Sequence, residues 1–171
     1  MAILIKTQRC FLKELNEKDD LKEYLYWMQT PSNNPFIKSS HVNYNLSQLK
    51  DFIITCNKRK DVILLGIYAN KNGLHIGNIK FDEIDLVRKS AVLGILIGDI
   101  DFRGKGITRE VILECVLWLT NKYKIESIKL GVDPNNLEAL NLYQSMGFEI
   151  FKKSTSSSYV MTIKSTKLIG D

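Results

Sequence analysis

The chain has 171 residues, of which 44% are hydrophobic and 25% charged, a composition typical of a globular rather than a disordered protein. No apolar run is long enough to cross a bilayer, and the apolar start is too short for a signal peptide, so we expect a cytoplasmic protein without a membrane partner. A net charge of +5 fits attraction to a polyanionic small molecule. The lysines form no basic block, so a nucleic-acid partner is not predicted.

Cysteines and histidines are few and far apart. The three cysteines are Cys10, Cys56 and Cys115, and the two histidines are His41 and His75. An odd cysteine count without close spacing indicates neither a disulfide framework nor a zinc site, so we predict no metal. Cys115 lies in an apolar helical stretch and is interpreted as a small core residue.

The first third of the chain predicts one strand and two helices. A partly alternating strand is expected over Thr7–Leu15, and Asn16 is expected to cap the helix that follows. Turn-forming residues predict a loop over 30–35. Asn45 and Gln48 have the spacing of a capping box, which places the start of a second helix there.

The remainder of the chain alternates between strands and helices. Strands are predicted over Val62–Ala69, Leu74–Phe81, Ala91–Ile97, Ile125–Val132, Phe148–Lys152 and Tyr159–Ile163, and helices over Thr108–Tyr123 and Asn136–Met146. Turns are predicted at Asn70–Gly73 and 154–158, a polar loop over Asp82–Ser90, and a helix stop at Gly147. The order β-α-α-β-β-β-α-β-α-β-β, without a linker, favours one mixed α/β domain over residues 1–171.

A glycine-rich, basic stretch follows the third of these strands. Arg103, Gly104, Lys105 and Gly106 come just before the helix that starts near Thr108. A helix N-terminus offers unpaired N–H groups and a positive dipole end, and glycines let a phosphate approach the backbone. The stretch lacks the Walker and dinucleotide-binding patterns, so it predicts either a pyrophosphate cradle or only a tight, glycine-requiring turn.

A second stretch follows the strand that ends at Val132. It has Asn136, Ala139, Tyr143, Gly147 and Phe148 in the pattern N-x-x-A-x-x-x-Y-x-x-x-G-F. Together and in this order, the two stretches resemble the acetyl-CoA signatures of the GNAT N-acetyltransferase superfamily. The similarity extends over residues 7–163 and is greatest to the ribosomal-protein and spermidine acetyltransferase-like branch.

The resemblance implies a GNAT-like α/β fold that uses acetyl-CoA as acetyl donor. Its mixed, mostly antiparallel sheet would have parallel central strands splayed around acetyl-CoA, with about four flanking helices. Cofactor binding is implied for Leu96, Ile97, Gly98, Arg103, Gly104, Lys105, Gly106, Thr108, Asn136 and Tyr143. Thr108 departs from the glycine or alanine of the signature, but its hydroxyl could still bond a phosphate.

The resemblance also implies a direct mechanism. A neutral amine would attack the thioester carbonyl, and a backbone N–H near Ile97 would stabilise the negative charge on the oxygen. Tyr143 would be the catalytic residue that protonates the departing thiolate, although an aromatic residue at this position could also be a core residue of an amphipathic helix.

The general base is the position at which this sequence departs most from the related branch. That branch often carries a glutamate where this chain has Val92. A substitute could come from Asp82, Glu83 or Asp85, or water could carry the proton away. Asn78 and Asp82 are the residues we expect to bind the acceptor.

Three acceptors remain open. Residues 76–80 and 94–99 resemble acetyltransferases associated with surface-sugar synthesis, which favours an amino sugar, free or linked to a nucleotide. A protein N-terminus and a polyamine are the alternatives within the enzyme class, and a monomer or a homodimer is expected. Outside that class, Val92 would suit an acyl-CoA-binding module without turnover, and the positive charge a nucleic-acid binder.

Overall fold

Aliphatic and β-branched runs pair into one eight-stranded sheet in the computed structural model, which describes residues 3–30, 35–36, 44–153 and 158–170. The strands are β1 Leu4–Lys6, β2 Cys10–Glu14, β3 Ile63–Ala69, β4 His75–Asp85, β5 Ser90–Ile97, β6 Ser127–Val132, β7 Glu149–Lys153 and β8 Tyr159–Lys164. Their order across the sheet is β1-β2-β3-β4-β5-β6-β8-β7. Every neighbouring pair is antiparallel except β5 and β6, which confirms the expected mixed sheet with parallel central strands.

Helices cover both faces of this sheet. They are α1 Lys22–Gln29, α2 Leu46–Lys58, α3 Ile107–Tyr123, α4 Leu137–Ser145 and α5 Ser165–Ile169, and a short 3-10 helix spans Ile100–Phe102. The apolar sides of α3 and α4 pack on one face in a core that includes Cys115, whose side chain is fully buried as expected. The apolar sides of α1 and α2 form a smaller core on the other face. The sheet therefore separates two apolar layers, and any opening between its strands connects them.

Two helix starts agree with the chain's capping chemistry. At α2, Gln48 N–H donates to Asn45 Oδ1 at 2.9 Å and Asn45 N–H donates to Gln48 Oε1 at 2.9 Å, which confirms the capping box. At α4, the Oδ1 of Asn136 accepts from the N–H of Ala139 at 3.2 Å.

The N-terminal predictions were partly wrong. Of the strand predicted over Thr7–Leu15, residues Cys10–Glu14 form β2. The first three residues instead make the turn of the β1–β2 hairpin, where the Thr7 hydroxyl accepts from the N–H of Cys10 at 2.9 Å. Asn16 does not cap α1, which begins only at Lys22. Its side chain instead accepts from the N–H of Lys18 at 2.9 Å in a local turn, the competing structure that asparagine commonly adopts.

The rest of the chain differs from the sequence-based expectations at one strand end and by one additional helix. The strand predicted to end at Phe81 continues to Asp85, so much of the polar loop expected over Asp82–Ser90 belongs to β4. The described chain has five α-helices rather than about four, because residues 165–169 add a short helix after β8. The predicted loop over 30–35, the turn over 154–158 and His41 lie partly or wholly outside the described residues.

Within the described ranges, none of the helices combines the length and the apolar character that a bilayer-spanning helix requires.

Candidate active site

The two parallel strands part in the middle of the sheet. Pairing between β5 and β6 runs from Ser90 and Ser127 to Leu93 and Leu130 and stops there. Beyond that point β5 continues beside β4 only, and β6 beside β8 only. The parting strands open a groove between the two apolar layers.

The groove side of β5 carries main-chain groups without a partner strand. The N–H of Gly98 donates to the carbonyl of Ile76 at 3.0 Å, so this residue faces β4. Because successive residues of a strand point their N–H groups to opposite sides, those of Ile95 and Ile97 face the groove. Of the predicted contacts from residues 96–98, the main chain of Ile97 therefore has the direction needed to pair with a ligand in the groove.

The glycine-rich stretch forms the start of α3, next to the groove. Gly104 and Gly106 have φ values of +67° and +77°, which non-glycine residues rarely adopt, and Gly106 is the N-cap. No side chain of the described chain caps this helix end, so the N–H groups of residues 107–109 remain available to an anion. This geometry fits the pyrophosphate of acetyl-CoA and speaks against a helix end closed by protein.

Arg103 has a bonding role within the protein. Its Nε donates to the carbonyl of Ile97 at 2.8 Å, and its Nη2 approaches the carbonyl of Gly98 at 3.2 Å. The side chain thereby ties the end of β5 to the start of α3 while lining the groove. Lys105 is exposed and lies over the ring of Phe102, with 5.9 Å between Nζ and the ring centroid.

A cluster that the sequence reasoning missed holds the glycine-rich loop from outside. The carboxylate of Glu110, in the first turn of α3, accepts from the Thr7 hydroxyl, from Arg9 N–H and from Arg9 Nε, the last two at 2.7 Å. Arg9 also donates to the carbonyl of Lys105. The β1–β2 turn is thus fastened to the loop that we expect to hold phosphate.

The donor groove is a cavity of about 370 Å³ between β5, α3 and α4. The predicted cofactor residues that line it are Leu96, Ile97, Arg103, Gly104, Thr108, Asn136 and Tyr143. Gly98, Lys105 and Gly106 belong to the same turn but do not line it. Glu138, Ala139 and Leu142 of α4 line it as well and were not predicted.

Tyr143 stands where the donor groove meets a second cavity. It lines both and is 9% exposed, with its ring 5.8 Å from that of Phe148. Burial raises the pKa of its phenol to about 12, so the hydroxyl stays protonated at physiological pH. The side chain is therefore a core aromatic that lines both cavities and keeps its hydroxyl proton.

The second cavity, which we call the acceptor cavity, lies on the α1–α2 side of the sheet and measures about 380 Å³. Its aromatic and apolar lining residues are Tyr24, Met28, Phe36, Tyr44, Leu49, Phe52, Leu64, Leu93, Ile95 and Leu96. Asn78 and Lys80 of β4 add polar groups, and Gly94 and Gly131 add bare backbone. Among the described lining residues, Lys80 is the only charged one and no carboxylate is present.

Asn78 is held by a histidine that the sequence reasoning did not connect to it. Nε2 of His75 lies 2.8 Å from Asn78 Oδ1 and 3.0 Å from the carbonyl of Gly77; since both partners accept, Nε2 carries the proton. Burial lowers the pKa of His75 and keeps it neutral. The Nδ2 of Asn78 has no hydrogen-bond partner among the described residues, although the side chain is only 5% exposed.

The candidate bases are poorly suited to accept a proton. Asp82 lies outside the cavity lining, and its carboxylate pairs with Lys80 at 2.9 Å and with Arg59 at 3.0 Å. Burial alone would raise its pKa, but the bonds from Lys80 and from the N–H of Glu83 hold it below the ordinary value. The backbone N–H of Arg88, the largest contribution, likewise lowers the pKa of Asp85.

Glu83 is exposed, with a φ of +50° near the end of β4. Val92, which occupies the usual glutamate position of the related branch, lies across from Asp82 in the sheet register.

The architecture defines a transferase fold with an acyl-CoA groove, and comparisons with known proteins agree. The family model for the GNAT acetyltransferase domain matches residues 9–149. The chain therefore belongs to the GNAT acetyltransferases and is an acetyl-CoA-dependent acyltransferase. Among curated protein sequences the comparison finds no match.

Solved structures share the fold at low sequence identity. Spermidine N-acetyltransferase from Vibrio cholerae, solved with CoA and spermine, is 19% identical, with a TM-score of 0.78 over 94% of this chain and 98% of that one. Ribosomal-protein-S5-alanine acetyltransferase from Vibrio fischeri is 14% identical, with a TM-score of 0.79 over 97% and 98%. The microcin C7 self-immunity acetyltransferase MccE, in complex with acetyl-CoA and AMP, is 17% identical, with a TM-score of 0.77 over 92% and 93%.

Proposed function

We propose that this enzyme acetylates the primary amine of an amino sugar, preferably one linked to a nucleotide. The observation that carries the proposal is the acceptor cavity, which meets the donor groove at Tyr143 and is lined by aromatic and apolar side chains with Lys80 as its charged group. Aromatic faces suit a base or sugar ring, and an ammonium suits a phosphate.

The same lining argues against a polyamine acceptor. A polycation requires carboxylates, and the described lining of the acceptor cavity has none. Nucleotide binding is compatible with this fold, since the similar microcin C7 enzyme was solved with AMP beside acetyl-CoA. Lys80 already pairs with Asp82 at 2.9 Å, so a phosphate would share this ammonium rather than meet it unpaired.

Each part of the donor groove has a task in this proposal. Bound acetyl-CoA supplies the thioester carbonyl that the amine attacks. The N–H groups of the α3 start hold the pyrophosphate, and Thr108 and Asn136 line the path of the cofactor. The groove-facing N–H of Ile95 or Ile97 stabilises charge on the carbonyl oxygen, and the Tyr143 hydroxyl donates a proton to the departing thiolate.

None of the described residues is placed to act as a general base, and this restricts the acceptor further. The amine must arrive neutral, and an alkylamine such as lysine, with a pKa of about 10.4, is roughly 0.04% neutral at pH 7. An α-amino group, with a pKa of about 8, is roughly 10% neutral. Amines on sugar rings are less basic than alkylamines because the neighbouring oxygens withdraw electrons. The site therefore favours weakly basic amines, and a protein N-terminus is the second candidate.

Acceptor profiling tests the proposal. The protein is incubated with acetyl-CoA and, separately, glucosamine, a UDP-linked amino sugar, a peptide with a free N-terminus, and spermidine, while thiol release is followed and products are weighed by mass spectrometry. We expect the highest kcat/KM with the UDP-linked amino sugar. Preference for the peptide or spermidine would replace the acceptor assignment, and CoA binding without release by any amine would favour an acyl-CoA-binding module.

Substitution of Lys80 tests the expected contact with the phosphate of a nucleotide-linked sugar. Lys80→Ala is expected to raise KM about ten-fold for the UDP-linked sugar and little for glucosamine, because only the former carries phosphate. Lys129→Ala is the matched control, since Lys129 is exposed on β6 and does not line the acceptor cavity. Equal effects of Lys80→Ala on both sugars would remove the phosphate contact from the proposal.

A further inference from the structure

Two glycines stand at the point where β5 and β6 part. Leu93 and Leu130 form the last paired rung, and the next residue on each strand is Gly94 or Gly131. Both glycines are exposed and both line the acceptor cavity. Tyr143 lines both this cavity and the donor groove, so the glycines lie on the acceptor side of the point where the two cavities meet.

Nothing in the fold requires glycine at these positions. Neither Gly94 nor Gly131 is among the glycines with positive φ, and no register shift falls at either residue. A Cβ atom at either position would meet nothing within 4 Å.

Two neighbouring glycines behave differently. A Cβ on Gly98 would overlap the Trp27 ring, and one on Gly77 would overlap the carbonyl oxygen of Leu96. Close packing thus accounts for glycine at these two positions but not at residues 94 and 131.

Glycine inside a strand also carries a cost. It destabilises the strand relative to alanine, because more backbone entropy is lost on folding. Strand glycines without a bulge or a close backbone neighbour are typical of places where a ligand approaches the backbone. Two of them, one on each parting strand and both facing the same cavity, indicate that a bulky group passes between them.

We propose that Gly94 and Gly131 form the acceptor aperture and determine specificity by admitting an amine carried on a ring carbon. This inference rests on the proposed N-acetyltransferase function. The ring carbon that bears such an amine has two further ring atoms attached to it. In the aperture one of them would lie toward each strand, so this amine needs clearance on both sides. A nitrogen on an unbranched CH₂ group needs clearance only along its own axis.

Alanine at each position tests the aperture with two isomeric probes. These are 2-amino-2-deoxyglucose, with its amine on a ring carbon, and 6-amino-6-deoxyglucose, with its amine on CH₂. We expect the wild type to prefer the 2-amino isomer, and Gly94→Ala and Gly131→Ala each to lower kcat/KM for it about ten-fold while changing the 6-amino isomer little. Ser127→Ala, on the same strand and face as Gly131 but outside the cavity lining, is the control and should leave the ratio unchanged.

Two further measurements separate a blocked aperture from a damaged fold. The melting temperatures of both glycine variants should equal or exceed that of the wild type, and the shift that acetyl-CoA produces should be unchanged. An unaltered isomer ratio in both variants, or a wild-type preference for the 6-amino isomer, overturns the inference while the enzyme function stands. Release by no amine at all removes the proposed function and the aperture with it.

Discussion

Removing the hydroxyl of Tyr143 should slow acetyl transfer about a hundred-fold, the lower end of what a positioned general acid contributes. Tyr143 lies at the junction of the donor groove and the acceptor cavity, where we expect the thiolate to leave. Phenylalanine keeps the ring, its burial and its contact with Phe148 at 5.8 Å, so Tyr143→Phe should fold normally and bind acetyl-CoA as the wild type does.

The raised pKa of Tyr143 also predicts how the rate of acetyl transfer depends on pH. An ordinary tyrosine with a pKa of about 10 is half ionised at pH 10. Burial raises the pKa of Tyr143 to about 12, so only roughly 1% of it is ionised at that pH. The proton donor is therefore retained through pH 10, and the wild-type rate should rise with pH as the amine loses its proton, without a fall near pH 10.

The assay compares kcat from thiol release with acetyl-CoA affinity from thermal shift, both between pH 7 and pH 10. A loss in kcat of about a hundred-fold with unchanged affinity supports the acid role. If kcat and affinity fall equally, Tyr143 acts in binding. A kcat that does not change in Tyr143→Phe would mean that water protonates the thiolate and would refute the reasoning.

Three other substitutions test the surroundings of the site. Glu110→Gln removes the charge that bonds Thr7 and Arg9, and should weaken acetyl-CoA binding several-fold and unfolding stability by about 1–2 kcal/mol. Burial alone would raise the Glu110 pKa, but these bonds hold it below the ordinary value. Its stabilising effect is therefore present above the ordinary glutamate pKa and is lost as the pH falls through the lower folded-state pKa, so the acid melting curves of wild type and Glu110→Gln should converge at low pH. Asn78→Ala should raise KM for the acceptor and leave acetyl-CoA affinity unchanged, because its unpaired amide belongs to the acceptor cavity; an equal loss of both would place it elsewhere. Gly98→Ala should destabilise the protein by about 1–3 kcal/mol in urea unfolding, since its methyl group would overlap the Trp27 ring, and an unchanged midpoint would contradict that contact.

Elements with strong local signals could be predicted from the sequence. The dense β-branched run became β3, the apolar stripe around Cys115 became the buried face of α3, and the Asn45–Gln48 spacing became a capping box. β1 could not be predicted in the same way, because its three residues are stabilised by pairing with β2 rather than by their own pattern. The prediction that Asn16 caps α1 was wrong because its side chain can hydrogen-bond within a local turn as readily as at a helix end.

The donor groove and the acceptor cavity also differ in how far local sequence patterns predict them. Apart from Pro35 and Phe36, the lining of the donor groove comes from residues 95–108 and 136–143, so two local sequence patterns point to most of its residues. The acceptor cavity is assembled from α1, α2 and four neighbouring strands, each of which contributes one to four residues, together with Phe36, Tyr44 and Tyr143. No linear pattern joins Tyr24, Phe52 and Lys80, and the two aperture glycines are meaningful only beside each other in the sheet.

Val92, which cannot accept a proton, affects what the donor groove and the acceptor cavity can do together. With valine at this position and Asp82 ion-paired to Arg59 and Lys80, the described residues place no proton acceptor beside the aperture. In the proposed mechanism the described residues stabilise charge on the carbonyl oxygen and protonate the thiolate at Tyr143, but none of them is placed to deprotonate an ammonium ion. We therefore expect reactivity to depend on the basicity of the acceptor itself, so that weakly basic amines are favoured by their neutral fraction as well as by their shape.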